Sequence, residues 1–471
     1  MTKIKFGTDG WRAVIADDYT VENVKRVAYG TAQWLKQSFE KPTAVVGCDP
    51  RFGGPMFADT TTQVLASQRI KVFRASNEFI STPMISLATI RQHASAGIII
   101  TASHNPPAYN GFKIKADIGG PATPEDIAKV EAQIPDTIDL ELKSVVDYQK
   151  DGLVEFVDLE KMYIAHTENH FDLELIRTCG LDWAYDAMYG AGQNVMRYLF
   201  PDITFLHAEH NPGFDGQAPE PIERNLQEFE DLIKISEGEI ASGLITDGDA
   251  DRIGLYDEEG TFVDSHHILL LLIHYLHKVK GEKGHNVYST FSCTSKIQKL
   301  CDVYGLTNTV TKIGFKYICE LIVRSPEEFL VGGEESGGIA VNGHIPERDG
   351  IWIGLIVWEF MARTGRKLSE LVQDIYDIVG KFAVERYDLR VTEELKQQVL
   401  DNCKNGKYSA FGDLKVVKTE DMDGYKFHFD DGAWVMIRPS GTEPVLRVYC
   451  EAETSEESFK ILDTVKAELL K

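Results

Sequence analysis

"TAVVGCDPRFGGPMFADTTTQVLASQRIKVF", residues 43–73, runs from an apolar strand through a polar, proline- and glycine-marked turn into a helix-like segment and a second strand. The same rhythm returns in "LDWAYDAMYGAGQNVMRYLFPDITFLHAEH", residues 181–210, and in "HNVYSTFSCTSKIQKLCDVYGLTNTVTKIG", residues 285–314. Alternation of this kind predicts α/β architecture three times over. The starts at 43, 181 and 285 are 138 and 104 residues apart, too irregular for a solenoid and consistent with three related domains carrying different insertions.

Beyond "KLSELVQDIYDIVG", where Leu368, Leu371, Val372, Ile375 and Ile378 fall at helical spacing, the pattern changes. Short alternating strands, "KFHFDDGAWVMIRPS" and "VLRVYCEA", precede a last helix, "SEESFKILDTVKAELLK". This predicts a smaller α+β domain from about residue 384. The expected domains are 1–155, 156–258, 259–383 and 384–471. A chain of 471 residues fits that count, because one core rarely organises more than about 250–300 residues.

The chain is 43% hydrophobic and 26% charged, the composition of a soluble globular protein. The N-terminal stretch carries no export-signal pattern, and the longest apolar run, Ile268 to Ile273, is far too short to span a bilayer. Seven scattered cysteines without a Cys-x-x-Cys pair argue for reduced thiols and a cytoplasmic setting. A formal net charge of −24 argues against nucleic acid or an anionic membrane as partner. An anionic substrate would then need a locally basic cleft, which screening over ~8 Å permits.

Four segments carry candidate chemistry. In "ASAGIIITASHNPPAYNGFKIKAD", residues 94–117, the strand-like Ile98 to Ile100 ends in a turn that should leave Ser103 presented at the carboxyl edge of a sheet, with the prolines and Asn110-Gly111 building a rigid, exposed loop. A lone Ser-His-Asn can equally be a turn cap. In "LITDGDADRIGLYD", Asp247, Asp249 and Asp251 recur at alternate positions after a short strand, so a curled loop can aim three carboxylates at one hard cation such as Mg²⁺. An EF-hand is excluded because Arg252 stands where its glycine must be, although Glu258 falls at the twelfth position; a solvated acidic turn is the plainer alternative.

Paired glycines flank Glu334, Glu335 and Ser336 in "VGGEESGGIAVNGHIPERDG", a carboxylate and hydroxyl set suited to sugar hydroxyls. In "VMIRPSGTEPVLRVY", Arg438, Ser440, Gly441, Thr442 and Arg447 offer guanidinium, hydroxyl and backbone N–H groups to a phosphate, unless this is an ordinary hairpin turn. His266, His267, His274 and His277 crowd one predicted helix without a carboxylate or cysteine at ligand spacing and read as helix-surface residues.

The ordered set "TASHNPP", "DGDADR", "GGEESGG" and "RPSGTEP", introduced by "KFGTDGWR" and "GCDPR", resembles the α-D-phosphohexomutases, the phosphoglucomutase and phosphomannomutase family, over essentially the whole chain. The resemblance implies three related α/β domains with mixed sheets and a smaller C-terminal α+β domain around a central cleft. It implies Ser103 as phosphoserine and, with Asp247, Asp249 and Asp251, as a contact of Mg²⁺. Glu334 and Ser336 become sugar-hydroxyl readers, and the 438–447 turn becomes the ligand of the non-reacting phosphate. Arg12, His104, Lys113 and Arg252 match the basic residues around the transferring phosphoryl group. Lys113 is close enough in sequence to Ser103 to take a hydroxyl proton if neighbouring cations lower its pKa.

The expected activity is interconversion of hexose 1-phosphate and 6-phosphate through phosphoserine, with a hexose 1,6-bisphosphate as intermediate and activator. Gly314-Phe315-Lys316 resembles the phosphoglucomutase branch, in which the lysine assists phosphate binding, so glucose phosphate is favoured. Gly338 departs from the dual glucose/mannose bacterial enzymes, which typically carry histidine there. The alternatives are a phosphomannomutase or phosphoglucosamine mutase with the same chemistry, a phosphatase, and a catalytically silent sugar-phosphate binder. The sequence says nothing about oligomeric state.

Overall fold

The computed structural model describes residues 3–7, 9–439 and 445–470. The chain forms two compact units, one of Met1–Gly284 with Gly314–Glu370 and the other of His285–Ile313 with Leu371–Lys471.

The first unit contains two complete mixed sheets. One holds β1 (Trp11–Val14), β2 (Thr43–Cys48), β3 (Lys71–Ala75), β4 (Ala96–Ile100), β5 (Tyr109–Ala116) and β6 (Val154–Val157) in the order β1-β5-β4-β2-β3-β6. β2 lies parallel to β3 and β4, and β5 is antiparallel to both β4 and β1. Residues 43–73 form the strand, turn, helix and strand that their pattern predicts. β2 ends at Cys48, Gly53 at φ +74° makes the turn no side chain would favour, and Pro55 starts the helix Gly54–Ser67 within its first turn. That helix buries Phe57, Val64 and Leu65 in a core shared with Val24, Val27 and Leu35 of the helix Val21–Ser38. Thr20 caps the latter by accepting from the Asn23 N–H.

The second sheet holds β7 (Asp182–Asp186), β8 (Thr204–Leu206), β9 (Ile240–Thr246), β10 (Ile253–Asp257) and β11 (Phe262–Val263) in the order β11-β10-β9-β7-β8. β7 is parallel to β8 and β9, and β9 to β10 is an antiparallel hairpin whose connection carries the three aspartates. The apolar run Ile268–Ile273 lies in a helix, Ser265–His274, that continues into a π turn at Tyr275–Val279. Among the described residues no helix is long and apolar enough to cross a membrane.

β12 (Asn286–Thr290) and β13 (Thr307–Thr311), the third strand–helix–strand repeat, pair in parallel within the second unit. β14 (Phe329–Gly333) and β15 (Ile339–Val341), in the first unit, pair antiparallel and bracket the glutamate loop. The helix Leu368–Val379 matches its predicted spacing. The second unit ends in a six-stranded sheet, β16 (Ala383–Arg390), β17 (Ala410–Phe411), β18 (Leu414–Glu420), β19 (Tyr425–Phe429), β20 (Trp434–Pro439) and β21 (Val445–Ala452), followed by the helix Ser455–Leu469. Helix and sheet share a core that includes Leu462, Val465, Val435 and Val448, the α+β layer the alternating pattern predicts.

One local expectation fails. Asn110 and Gly111 lie inside β5, opposite Ala13 and Arg12 of β1. Gly111 is there for close approach: a Cβ on it would fall 2.4 Å from the Thr101 carbonyl oxygen and 2.8 Å from that of Trp11. The dipeptide that commonly marks a hairpin turn here lets three strands crowd together.

Candidate active site

Ser103 lies three residues beyond the end of β4 and has φ +52°, a left-handed conformation that costs a non-glycine residue about 1–3 kcal/mol and gathers at functional sites. Its N–H donates to Thr101 Oγ1 at 2.8 Å. The sequence predicts an exposed serine, but Ser103 is only 1% exposed. The aspartate loop covers it: a Cβ on Gly248 would lie 2.6 Å from the Ser103 carbonyl oxygen, so glycine between Asp247 and Asp249 lets the two loops touch. Ser103 Oγ donates to Asp247 Oδ2 at 2.7 Å and lies 3.3 Å from His104 Nδ1.

The aspartate loop curls back on itself. The N–H groups of Asp251 and Arg252 donate to Asp247 Oδ1 at 3.0 and 3.1 Å, and Ala250 takes φ +56° to make the bend. One carboxylate oxygen from each of Asp247, Asp249 and Asp251 lies within 4.8 Å of the others. All three residues are fully buried, yet Asp249 Oδ1 and Asp251 Oδ1 accept no hydrogen bond. Buried, unpartnered carboxylate oxygens converging on one point are what a hard divalent cation satisfies. Burial, with repulsion from Asp249 and Asp251, pushes the Asp247 carboxyl well above its usual range. Burial also works against ionised Asp249, but Lys113 and the Thr82 hydroxyl outweigh it and hold that carboxyl low.

The basic residues named from the sequence gather around these loops. Lys113 Nζ lies 2.8 Å from Asp249, 3.2 Å from Asp251 and 2.9 Å from Asp9. Burial alone would lower its pKa, but those three carboxylates outweigh burial and raise it well above the ordinary lysine value. The lowering expected of a proton-accepting Lys113 is therefore reversed, because its neighbours are chiefly anions. Arg12 donates to Asn105 Oδ1 at 2.6 Å, and Arg252 lies 3.7 Å from Glu220 with a buried Nε that has no acceptor. His104 is held well below its usual pKa by burial, and next by Arg252, Arg12, Lys113 and Arg51, so its ring is neutral.

Three groups here escape the reading of the sequence. Asp9, in "GTDGW", contacts Lys113, Arg348, Arg12 and, more loosely at 4.0 Å, Lys115. Burial raises its pKa, but Lys113 and Arg348 lead the cations that hold the carboxyl well below the usual range. Arg348 reaches Asp251 at 2.8 Å and Asp9 at 2.9 Å. Arg51, in "GCDPR", is fully buried and spends its N–H donors on the serine loop. Nε faces Asp49 Oδ2 at 3.2 Å, Nη1 donates to the carbonyls of Pro106 and Tyr109 at 2.9 and 3.1 Å, and Nη2 to those of Ser103 and Asn105 at 2.5 and 2.6 Å.

Only a planar guanidinium can serve that many acceptors at once; an ammonium has three donors around a single nitrogen. Arg51→Lys is expected to lower kcat by roughly ten- to a hundredfold, the cost of misplacing reacting groups by about 1 Å. KM should change little, since Arg51 has no side-chain donor left for a ligand. Steady-state kinetics alongside a melting curve checks this.

Glu334 follows β14 and is buried, with its N–H donating to the Gly338 carbonyl at 3.0 Å and Arg348 Nη1 3.9 Å from Oε2. Burial pushes its carboxyl up to about 7, Arg348 pulling the other way. Ser336 sits half-buried in the same loop. Lys316 lies in the first turn of the helix Phe315–Arg324, its Nζ 5.2 Å from the Tyr317 ring. In the second unit, Arg438 of β20 and Arg447 of β21 stand directly opposite each other, with Asp423 at 3.5 Å from the first and Asp388 at 3.8 Å from the second. The two aspartates offset the like charges that face each other across the strand pair. Ser440, Gly441 and Thr442 lie outside the described residues.

Comparison with known proteins identifies a family. The four profiles for phosphoglucomutase/phosphomannomutase match in order: alpha/beta/alpha domain I at residues 3–140, domain II at 161–260, domain III at 264–379 and the C-terminal domain at 389–468. The chain is 29% identical over 468 residues to a phosphoglucomutase/phosphomannomutase of Thermococcus kodakarensis, spanning 97% of this chain and 96% of the relative. It is 30% identical over 476 residues to a phosphoglucosamine mutase of Bacillus cereus, spanning 98% of both. A crystal structure described as a candidate phosphomannomutase from Thermus thermophilus superposes over the full length of both chains with a TM-score of 0.86 at 30% identity. The chain belongs to the phosphoglucomutase/phosphomannomutase family, the phosphohexomutases.

Proposed function

We propose that this phosphohexomutase interconverts glucose 1-phosphate and glucose 6-phosphate by passing a phosphoryl group through Ser103. The observation that carries the reading is the Ser103 hydroxyl held 2.7 Å from Asp247, beside two buried aspartate oxygens with no partner. Phosphoryl transfer asks chiefly for positioning and charge neutralisation. In this reading Asp247, Asp249 and Asp251 hold Mg²⁺, which supplies positive charge beside the phosphoryl group. Phosphorylated Ser103 gives its phosphoryl group to the free hydroxyl of the sugar monophosphate, forming a hexose 1,6-bisphosphate, and the hydroxyl's proton ends on the freed Ser103 Oγ. The bisphosphate turns end over end and returns its other phosphoryl group to Ser103. Lys113, Arg12 and Arg252 neutralise charge on the transferring group.

Glu334 and Ser336 read the sugar's 3- and 4-hydroxyls, with Lys316 assisting phosphate binding, and Arg438 and Arg447, facing each other across β20 and β21, offer guanidinium donors to the non-reacting phosphate. In this reading the chain is divided into four domains at 1–155, 156–258, 259–383 and 384–471, and the four family profiles follow one another in the same order. Glucose is preferred on the strength of Gly314-Phe315-Lys316. Glucosamine phosphate is the second reading, favoured by the name of the Bacillus cereus relative.

The test is a coupled assay of the 1-phosphates of glucose, mannose, glucosamine and N-acetylglucosamine on one preparation. Glucose 1-phosphate is expected to give its 6-phosphate fastest. Release of inorganic phosphate without isomer would make the protein a phosphatase, and no turnover of any sugar would leave a silent binder.

Glu334→Ala should raise KM for glucose and mannose phosphates alike, because the 3- and 4-hydroxyls are common to both. A change at one buried charged acceptor is worth roughly 1.5–3 kcal/mol, or about ten- to a hundredfold. Because burial raises the Glu334 carboxyl to about 7, the carboxylate that accepts hydroxyl bonds is lost as pH falls through that value. KM should rise below neutral pH in the wild type, and the Glu334 part of that rise should vanish in Glu334→Gln.

A further inference from the structure

Gly338 and Arg348 occupy each other's space. A Cβ added at Gly338 would fall 2.3 Å from Cδ and 3.1 Å from Cγ of Arg348, the first a distance no real Cβ tolerates. The arginine stem thus runs through the volume that a side chain at 338 would fill. From there its guanidinium reaches in three directions. Nη2 bonds Asp251 Oδ2 at 2.8 Å and Asp9 Oδ2 at 2.9 Å, Nε donates to Glu347 Oε1 at 3.0 Å, and Nη1 points to Glu334 Oε2 at 3.9 Å. The face of the guanidinium lies over the Phe315 ring, with Cζ 5.4 Å from its centre. The side chain is 5% exposed.

Everything that guanidinium touches is already part of the site. Asp251 belongs to the aspartate triad, Asp9 gathers the cations around Lys113, and Glu334 heads the glycine-flanked loop. These groups come from segments far apart in the chain, and Arg348 is the side chain that contacts all of them. Glu347, which anchors Nε, is itself fixed by Lys115 Nζ at 2.6 Å. The pose is held at both ends, and it requires the absence of a side chain at 338.

We propose that Gly338 and Arg348 form a single positioning device: the glycine leaves room for the arginine, and the arginine sets the glutamate loop in register with the aspartate triad. The role rests on the mutase reading above, because it relates a sugar-reading carboxylate to a phosphoryl-transfer site. Arg348 acts through Asp251 and Glu334, which makes it a positioning residue. An ammonium at this place could not bridge the same carboxylates, since its donors radiate from one nitrogen.

A double-mutant cycle tests the device, because coupled residues depart from additivity and independent ones do not. Wild type, Gly338→Ala, Arg348→Ala and the double variant are compared for kcat and KM on glucose 1-phosphate, for Mg²⁺ affinity by calorimetry, and for melting temperature. Gly338→Ala and Arg348→Ala are each expected to lower kcat by roughly ten- to a hundredfold, the usual cost of a ~1 Å misplacement. The double variant should be no worse than Arg348→Ala alone, since the added methyl then enters empty space. Each single change should also weaken Mg²⁺ binding, because Asp251 loses the arginine that, together with Lys113, fixes the direction of its carboxylate.

Losses that multiply in the double variant would overturn the proposal, as would a Gly338→Ala protein with normal kcat and Mg²⁺ affinity. If Gly338→Ala does not fold, recovery of soluble protein by adding Arg348→Ala supports the shared space, and failure to recover counts against it. Should the wild type isomerise no hexose phosphate, the mutase reading fails alone. The calorimetric cycle still reports whether the two positions are coupled.

Discussion

Ser103→Ala is expected to lower mutase kcat by a factor on the order of 10⁴ or more, the scale on which deletion of a nucleophile is felt. The size follows from what the serine would do. A mutase that moves phosphate between two ends of a sugar needs a place to hold a phosphoryl group while the sugar turns, and in this site Ser103 Oγ donates to Asp247 of the aspartate triad, while the Thr82 hydroxyl is committed to Asp249. Thr101 Oγ1 is the nearest alternative in sequence, but it is committed to Asp49 and to the Ser103 N–H. The left-handed backbone at Ser103 does not depend on its side chain, so the alanine variant should fold and bind sugar phosphate with KM or Kd little changed. Peptide mapping of wild-type protein should find phosphate at Ser103, and the variant should carry none. An active Ser103→Ala enzyme, or phosphate mapped to another residue, contradicts the mechanism.

Removal of divalent cation is the second large effect expected. With Asp247, Asp249 and Asp251 buried and closely grouped, two of their oxygens have no protein donor to satisfy them. Phosphorylation of Ser103 would add close to two further negative charges at the same point, an arrangement that a buried site tolerates only with a compensating cation. Exhaustive chelation should therefore abolish turnover, and Mg²⁺ should restore it. Asp251→Asn should weaken Mg²⁺ binding and lower kcat together, while sugar-phosphate binding changes less. Full activity in the chelated enzyme, or Ca²⁺ serving better than Mg²⁺, would show that the triad does not do this work.

The parts of the site that are legible in the sequence are those built by short stretches of chain. The aspartates fall at alternate positions of one loop, so their convergence follows from local geometry. Ser103 stands at the carboxyl edge of a parallel strand, where general rules place ligands. The α/β repeats at 43, 181 and 285 and the closing α+β pattern are equally local, and each forms strand and helix where the periodicity places them.

What is not legible depends on distant partners. Arg51 reads as one basic residue after a proline until five acceptors, most of them on another segment, surround it. Asp9 and Arg348 are separated by most of the first unit's sequence and meet only in the fold. The same limit explains the failed expectations at Ser103 and Lys113. Ser103 reads as a surface residue because its own loop looks like a surface turn, and the aspartate loop that buries it cannot be seen from there. Lys113 reads as a residue among cations because nothing local shows that Asp249 and Asp251, more than 130 residues away in the chain, and Asp9 fold against its ammonium.

The central claim is that Ser103 stores the phosphoryl group that the sugar receives. Its most direct measurement is a chase. Protein carrying labelled phosphate on Ser103 is mixed with unlabelled glucose 1-phosphate and Mg²⁺, and the label is followed in sugar phosphates, protein and inorganic phosphate. The account predicts that label leaves Ser103 within a turnover and appears in glucose 1,6-bisphosphate and then in the monophosphates, with little in inorganic phosphate. Label that stays on the protein while isomer accumulates, or that appears only as inorganic phosphate, would contradict it.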